Sequence, residues 1–310
     1  KETCPAIICC AGRMDLHGAP LANTWLKLAT HVKPGENTVM AQGDLSGWRA
    51  GDRVILTGTF HPDGDEKTPV LAKTAQTEER VVASVRGGEG RAAVKLDKAL
   101  AFEHYAEGEF RGEIANLSRN VVIESADPSG VRGHTMYHRN SAGSISYAEF
   151  RHLGKKDVLG KYAIHFHMCR GTMRGSSVIG ASIWDSQNRW LTIHGTNYLV
   201  VRDVVGYQAI GHGFFLEDGT EVYNVLDRNL AVSAKRGKRL PKQVLPFDQN
   251  DGAGFWWANS LNTFTRNVSC ENGRYGFRFE ATKGSSFNPT LPIMQPDGSR
   301  KPVDIRTLPF

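Results

Sequence analysis

No apolar run in this 310-residue sequence approaches the roughly 18 residues that would cross a bilayer as a helix. The longest uncharged stretch near the start, Cys4 to Ala11, also lacks the basic lead-in and cleavage site of a signal peptide. Cysteine is scarce: Cys4, Cys9, Cys10, Cys169 and Cys270 match no zinc-binding spacing, and the odd number leaves one thiol unpaired within the chain. No zinc finger and no aromatic RNA-binding strand is present, which argues against nucleic acid as a partner. Low-complexity tracts are absent, and helix signals are few. The chain opens on Lys1 and closes on Leu308-Pro309-Phe310 without a capping element, so it reads as a piece of a longer protein.

The net charge is +6, which suits an anionic partner, an acidic polysaccharide among them. The densest basic cluster, Lys235-Arg236-Gly237-Lys238-Arg239, reads by itself as a solvated loop. Short runs of Val, Ile, Thr and aromatic residues alternate with polar ones, and the 33 glycines fit many tight turns. Residues 32–106 read as a small antiparallel barrel. Its strands fall around Val54-Ile55-Leu56, Glu79 to Val85 and Ala92 to Leu96, with a turn at Gly87-Gly88-Glu89-Gly90 and a polar loop at His61 to Lys67.

From about residue 107 onward a weak internal repeat takes over. Ala163-Ile164-His165-Phe166-His167, Trp190-Leu191-Thr192-Ile193-His194, Gly213-Phe214-Phe215-Leu216-Glu217, Gly254-Phe255-Trp256-Trp257-Ala258 and Gly276-Phe277-Arg278-Phe279-Glu280 align without gaps. Second strands with a Val-x-x-Asn rhythm lie between them, the pattern of stacked solenoid rungs. One interval is long because it holds the Lys235–Asn250 segment, an insertion of the kind that marks a binding face. The expected architecture is all-β: a right-handed parallel β-helix over 107–310 with the barrel inserted at 32–106. Residues 1–31 would hold the first β-helix strands.

Strand side chains alternate between faces. Ile164, Leu191, Phe214, Phe255 and Phe277 form one apolar column, and Phe166, Ile193, Leu216, Trp257 and Phe279 a second, so both face inward. His165, Thr192 and Phe215 then form one outer column, and His167, His194 and Glu217 the next, with His138 extending it by one rung. Neighbours in a column, about 4.8 Å apart, can share a ligand. His165, His167 and His194 are therefore the expected ligands of a divalent transition metal, with Zn or Cu favoured and Fe a third choice. Glu217, Asp218 and His212 are the expected acid–base residues; Asp185 reads as a turn former. Tyr162, Trp190, Trp256 and Lys161 are the expected substrate contacts. His17, His134 and His152 read as structural.

Three of these segments resemble one family closely: Gly160-Lys161-Tyr162-Ala163-Ile164-His165-Phe166-His167-Met168, Thr192-Ile193-His194-Gly195-Thr196, and Gly211-His212-Gly213-Phe214-Phe215-Leu216-Glu217-Asp218-Gly219. Asn116-Leu117-Ser118-Arg119-Asn120-Val121, Gly133-His134-Thr135-Met136 and Gly12 to Gly18 match too, the last resembling the end of a glycine-named domain. The family is that of β-helix proteins whose N-terminal domain is named for eight glycines, with fibrocystin and the cell-surface and cell-migration-inducing hyaluronidase-like proteins among its members; this chain resembles a secreted member of bacterial type. The resemblance implies a right-handed parallel β-helix, a location outside the cytoplasm and a link to glycosaminoglycans or other polysaccharides. Together these readings point to a secreted, metal-dependent enzyme cleaving an acidic polysaccharide, a glycoside hydrolase. The alternatives are a non-catalytic glycan-binding ectodomain and a polysaccharide lyase using Lys161 or His212 as base.

Overall fold

The computed structural model describes residues 4–60, 75–88, 90–282 and 287–309. The loop expected at His61 to Lys67, and Glu89 of the expected turn, lie outside the described residues. Strands and one 3-10 turn, Ile305–Thr307, make up the described secondary structure.

Three parallel sheets wind into a β-helix. The first has seven strands, in the order Ala6–Cys10, His134–His138, Ile164–Arg170, Leu191–Thr196, Phe214–Leu216, Phe255–Trp257 and Phe277–Phe279. The second runs from Val121–Glu124 to Val268–Cys270, and the third from Leu16–His17 to Thr263–Thr265, six strands each. The register is the one the repeat implies: Ile164 pairs with Leu191, Leu191 with Phe214, Phe214 with Phe255, and Phe255 with Phe277. Ile164, Leu191, Phe214 and Phe255 are fully buried inside the coil, whereas Phe277, expected to face inward with them, stacks on Phe255 in the last strand but is 46% exposed because no further rung covers it. The Val-x-x-Asn rhythm has a physical cause. Asn224 accepts from the Leu199 amide and donates to the Thr196 carbonyl one rung away, and Asn229 bonds Val204 and Val201 in the same way. Each Asn thus satisfies backbone groups that the corner takes out of the ladder. The corner residues Asp203, Arg228 and Arg266 all adopt left-handed φ, between 52° and 56°.

The inserted unit is a six-stranded antiparallel sheet of Trp25–Lys27, Glu113–Asn116, Arg53–Leu56, Glu78–Gly88, Arg91–Leu96 and Thr38–Gln42. A bridge between Leu28 and Ala41 joins its first strand to its last. It is therefore wider than 32–106. Trp25–Lys27 and Glu113–Asn116 flank the expected range and pair with each other, and Glu113–Asn116 pairs in turn with Arg53–Leu56 inside it; such long-range pairing is invisible to local pattern. Residues 6–17 are strands of the β-helix itself. At the other end the helix strands stop at Phe279, and Thr290–Met294 pairs with Arg300–Asp304 as an antiparallel hairpin, so 107–310 is not all solenoid.

Barrel and solenoid meet on the second sheet. Trp25, Ile55, Ala115 and Leu117 pack on Trp184, Val205, Tyr207, Leu230 and Val232, and Trp25 Nε1 donates to the Arg228 carbonyl. The first sheet's outer face is covered differently. Leu245 of the insertion and Ile293, Met294 and Ile305 of the C-terminal segment pack over Phe215 and Trp256. The histidine columns lie on that same face.

Candidate functional site

His165 and His194 come from adjacent parallel strands, in which His165 pairs with Thr192 and His167 with His194. Glu217 leaves the next strand, its amide donating to the Ile193 carbonyl. Pleating points all three side chains to the same outer face, where they are nonetheless buried: exposure is 0% for His165, 8% for His194 and 3% for Glu217. One nitrogen of each imidazole and one Glu217 oxygen lie within 4.8 Å of one another.

Neighbours settle how the three groups are aimed. His165 Nδ1 sits 2.9 Å from the Gly160 carbonyl oxygen, which only accepts, so Nδ1 carries the hydrogen. Its Nε2 is left with a lone pair facing Glu217 Oε2 at 3.6 Å. His194 Nε2 lies 3.2 Å from Asp218 Oδ2, and its Nδ1 lies 3.4 Å from the same Glu217 Oε2. A carboxylate or carbonyl on the far nitrogen of each imidazole is the arrangement that fixes metal-binding histidines. Glu217 is held by its other oxygen, Oε1, which accepts from the Tyr162 hydroxyl at 3.0 Å and faces Arg189 at 3.9 Å. Arg189 is clamped by Asp248 at 2.8 Å, and Asp248 by His212 Nε2 at 2.8 Å.

The result is a centre with no hydrogen where one is needed. His165 Nε2 and Glu217 Oε2 are both buried acceptors without a hydrogen-bond partner. Two facing acceptors repel unless a cation stands between them. Ligand atoms about 2.1 Å from a tetrahedral ion lie roughly 3.4 Å apart, which matches the 3.6 Å and 3.4 Å that separate Glu217 Oε2 from His165 Nε2 and His194 Nδ1. The electrostatics say the same. Burial, with His194 and His167 adding to it, holds His165 well below its usual pKa. For His194 burial also works against the charge, but the Asp218 hydrogen bond and the Glu217 charge outweigh it and raise the pKa. His194 is where a proton settles when nothing else supplies positive charge.

The expected residues divide as follows. His165, His194 and Glu217 converge. His167 does not complete the set; its Nδ1 faces His138 Nδ1 at 3.0 Å with the rings stacked, at the half-exposed mouth beside the centre. Sequence marks both as members of one column but cannot say which neighbour a ring will choose. Asp218 holds His194 rather than facing open space. His212 is fully buried, stacked on Phe215, with Nδ1 accepting from the Ala253 amide and Nε2 bonded to Asp248, so both nitrogens are occupied and it has no access to a substrate. Trp190 and Trp256 are buried at 0% and 2%, Trp190 against Phe214 in the core and Trp256 under the insertion, so neither offers a face to a sugar ring. Tyr162 is buried too and serves Glu217. Half-buried Lys161 lies beside His134, whose imidazole is pushed down to about 4 by burial, with Lys161 and Lys155 adding to it. Asp185 binds His152 Nδ1 at 2.6 Å and Arg132, away from the centre. Sequence reading missed Arg189 and Asp248: a charge buried next to Trp190 and an acid inside a basic loop carry no pattern of their own.

Comparison with known proteins agrees with the fold. A G8 domain-containing protein of Dictyostelium discoideum is 29% identical over 303 residues, covering 91% of this chain and 25% of that protein. Fibrocystin-L of Mus musculus is 29% identical over 316 residues, covering 86% of this chain and 7% of its own length. The chain thus spans a quarter or less of these two curated relatives. Among solved structures, the catalytic domain of a GH87 alpha-1,3-glucanase in complex with nigerose is 12% identical with a TM-score of 0.27, over 81% of this chain and 70% of that one. That likeness is too slight to carry an argument. Residues 130–300, more than half of the chain and the stretch that holds the converging side chains, match the CEMIP beta-helix family, and the chain belongs to that family.

Proposed function

We propose that this chain is the site-bearing part of an extracellular, metal-dependent carbohydrate-active enzyme that cleaves a polysaccharide by hydrolysis. The observation that carries the reading is the pair of facing, partnerless acceptors, His165 Nε2 and Glu217 Oε2, with His194 beside them. His165, His194 and Glu217 would hold the ion, and two imidazoles with one carboxylate suit Zn or Fe, with Cu also compatible. A divalent ion there supplies Lewis acidity.

The protein's own residues supply the rest. Tyr162 and Arg189 hold Glu217 Oε1, so that Oε2 alone is presented. Burial, with His194 and His138 adding to it, pushes His167 down to about 4, so it is a neutral imidazole at pH 7, able to take a proton at the mouth of the centre. His138 shares that proton through the 3.0 Å Nδ1 contact. The insertion and the C-terminal segment keep water from the buried side.

Elemental analysis of the purified chain tests this, beside His194→Ala, Glu217→Gln and His167→Ala. Near-stoichiometric Zn, Cu or Fe in the parent and in His167→Ala, lost in the other two, is the expected result. A screen of polysaccharides then follows, read by reducing ends; an ultraviolet-absorbing unsaturated product would replace hydrolysis by a lyase reaction. A parent chain that takes up no metal on reconstitution ends the metal reading.

A further inference from the structure

The insertion that separates Leu230–Lys235 from Phe255–Trp257 carries the sequence Lys235-Arg236-Gly237-Lys238-Arg239-Leu240, and nothing in the proposed site uses its charges. The chain has four places where two basic residues are adjacent: Lys155-Lys156, Lys235-Arg236, Lys238-Arg239 and Arg300-Lys301. Their surroundings separate them. Lys155 is buried, its Nζ donating to the Cys4 and Arg132 carbonyls at 2.9 Å each. Arg300 and Lys301 lie in a strand of the C-terminal hairpin, and Pro302 follows them. Lys235 ends a strand of the second sheet, and its carbonyl accepts from the Gly211 amide at 2.7 Å. Of the four, Lys238-Arg239 alone is exposed on backbone of no regular structure, with a third exposed cation, Arg236, two residues before the pair.

The insertion is held firmly at its base and loosely beyond it. At the base Gly237 donates its amide to the Asn250 carbonyl at 2.9 Å, and Asn250 Nδ2 donates to the Lys238 carbonyl at 2.8 Å. A Cβ on Gly252 or Gly273 would stand 2.7 Å or 3.0 Å from the Arg236 nitrogen, so the backbones there are in close contact. From Arg239 to Val244, among the described residues, no main-chain group makes a backbone–backbone hydrogen bond, and Pro241 has no amide to give. A stretch without such bonds opens at little cost in free energy, which is what a protease needs to draw a chain into its cleft. Past this stretch the insertion covers the solenoid. Leu245 packs over Phe215 and Trp256, and the Phe247 ring stacks 6.2 Å from Trp256. Asp248 then ties the segment down through His212 and Arg189, at 2.8 Å each.

We infer that the insertion is a processing loop, cut between Arg239 and Leu240 by an endoprotease specific for paired basic residues, and that the cut frees the cover over Trp256. Such an enzyme reads basic side chains with carboxylates, and Arg236, Lys238 and Arg239 stand at the fourth, second and first positions before the cut. Water adds across the peptide bond, leaving a carboxylate on Arg239 and an ammonium on Leu240. Leu240 is only 3% exposed. A new ammonium there cannot stay buried without a partner, so the cut end moves out to water. Leu245 and Phe247 are drawn with it, while Asp248 stays, held from the solenoid by His212 and Arg189. The clamp behind Glu217 is thus kept, and Trp256 gains an open aromatic face. The inference rests on the extracellular part of the proposed reading, since enzymes of this specificity act along the secretory route; the cut itself requires neither the metal nor a glycan.

The test is digestion of the folded full chain with a soluble furin-type protease, read by mass spectrometry, beside Arg239→Gln and Arg236→Gln. A single cut is expected, giving fragments 1–239 and 240–310 that still elute together in gel filtration, since strands from both sides of the cut pair in the same sheets. Arg236→Gln should be cut at least ~10-fold more slowly, and Arg239→Gln not at all. Hydroxyl-radical footprinting then compares the nicked chain with the intact one. Oxidation of Trp256 should rise at least ~5-fold, while Trp190, buried in the solenoid core, stays unchanged. A parent left whole while a paired-basic control substrate in the same tube is consumed overturns the processing site, as does cutting of Arg239→Gln at the same bond. A clean cut that leaves Trp256 as protected as before overturns the opening of the cover. Neither readout involves metal content, so failure here leaves the metal centre untouched, and failure of the metal centre leaves this result standing.

Discussion

His104 and Glu78 in the barrel, and His165 and Glu217 on the solenoid, are the same two residue types buried to nearly the same degree, 0% and 6% exposed against 0% and 3%. Their surroundings differ in one respect. In the barrel every polar atom of the pair is answered. Glu78 accepts from the Ala101 and Phe102 amides, from Arg80 and from His104 Nε2, while His104 Nδ1 donates to the Thr57 carbonyl. Burial would raise the Glu78 pKa, but those donors outweigh it and hold it below the usual range. On the solenoid one oxygen and one nitrogen are left facing each other with nothing between. The barrel pair is a joint that binds segments of the barrel; the solenoid pair is complete only when a ligand is added. Buried polar atoms are so rarely left unanswered that the second case asks for a function where the first asks only for stability.

The largest effect that would sharpen this contrast lies in the barrel. Glu78→Ala strands four donors at once and is expected to cost about 3–5 kcal/mol, as breaking one side of a buried charged pair does. The shift of the urea midpoint at pH 7 measures it; a loss below about 1 kcal/mol would mean the joint is looser than its geometry. A second barrel acid gives a pH signature. Glu113 is buried against Thr57, and burial pushes its pKa up from 4.5 to about 7, against the Thr57 hydrogen bond. A carboxyl whose pKa rises on folding favours the folded state fully below about 4.5, and that contribution is lost as pH rises through about 7, a change of about 3 kcal/mol. Glu113→Gln should therefore match the parent at pH 4 and exceed it at pH 8, as read by urea midpoints across that range. Parallel pH profiles for the two proteins would mean that the Glu113 pKa does not change on folding.

Metal loading probes the other side of the comparison. At free metal a hundredfold above its dissociation constant, the parent should gain about 2.7 kcal/mol of stability. Glu78→Ala should keep that increment, and His194→Ala should lose it, in calorimetric scans with and without chelator. An equal increment in His194→Ala would put the metal elsewhere.

How far the sequence reveals these differences depends on the range of the interaction. The columns were legible because alternation along one strand and a repeat between strands fix register, and Ile164, Leu191, Phe214, Phe255 and Phe277 do stack as their pattern implies. The same logic placed His165, His194 and Glu217 on one outer face. It could not separate Glu217 from His167 as the third member, because that choice rests on His138 across the mouth and on Tyr162 and Arg189 behind Glu217. Nor could it show that the outer face is roofed. Trp256 reads as a sugar platform only while the Leu245 and Met294 segments remain unplaced, and where a loop of this length comes to rest is set by side chains far away in sequence; Trp190 is lost to the solenoid core, against Phe214. The barrel's edges failed for the same reason: Trp25–Lys27 joins it through Glu113–Asn116 and the Leu28–Ala41 bridge, both distant in sequence.

The smallest effect is the most discriminating, because its sign separates a ligand site from a joint. Glu217→Gln keeps the carbonyl oxygen that accepts from Tyr162 and replaces Oε2 with an N–H donor aimed at the lone pair of His165 Nε2. In the metal-free protein that substitution answers one buried acceptor and removes the other. A satisfied buried hydrogen bond contributes about 1 kcal/mol, so the metal-free variant should melt at or above the parent's temperature while its metal content falls to background. Two terms oppose it: Arg189 loses part of its counter-charge, though Asp248 holds that guanidinium at 2.8 Å whatever stands at 217, and His194 loses the Glu217 charge that helps raise its pKa, though the Asp218 hydrogen bond remains. Glu78→Gln in the barrel should move the other way, since there all the donors already have their acceptor and an amide puts a hydrogen where Arg80 or a backbone N–H needs an oxygen. If both Gln variants destabilise alike, the acceptors on the solenoid are paired in solution by something the chain itself supplies, and His165 and Glu217 form a joint after all.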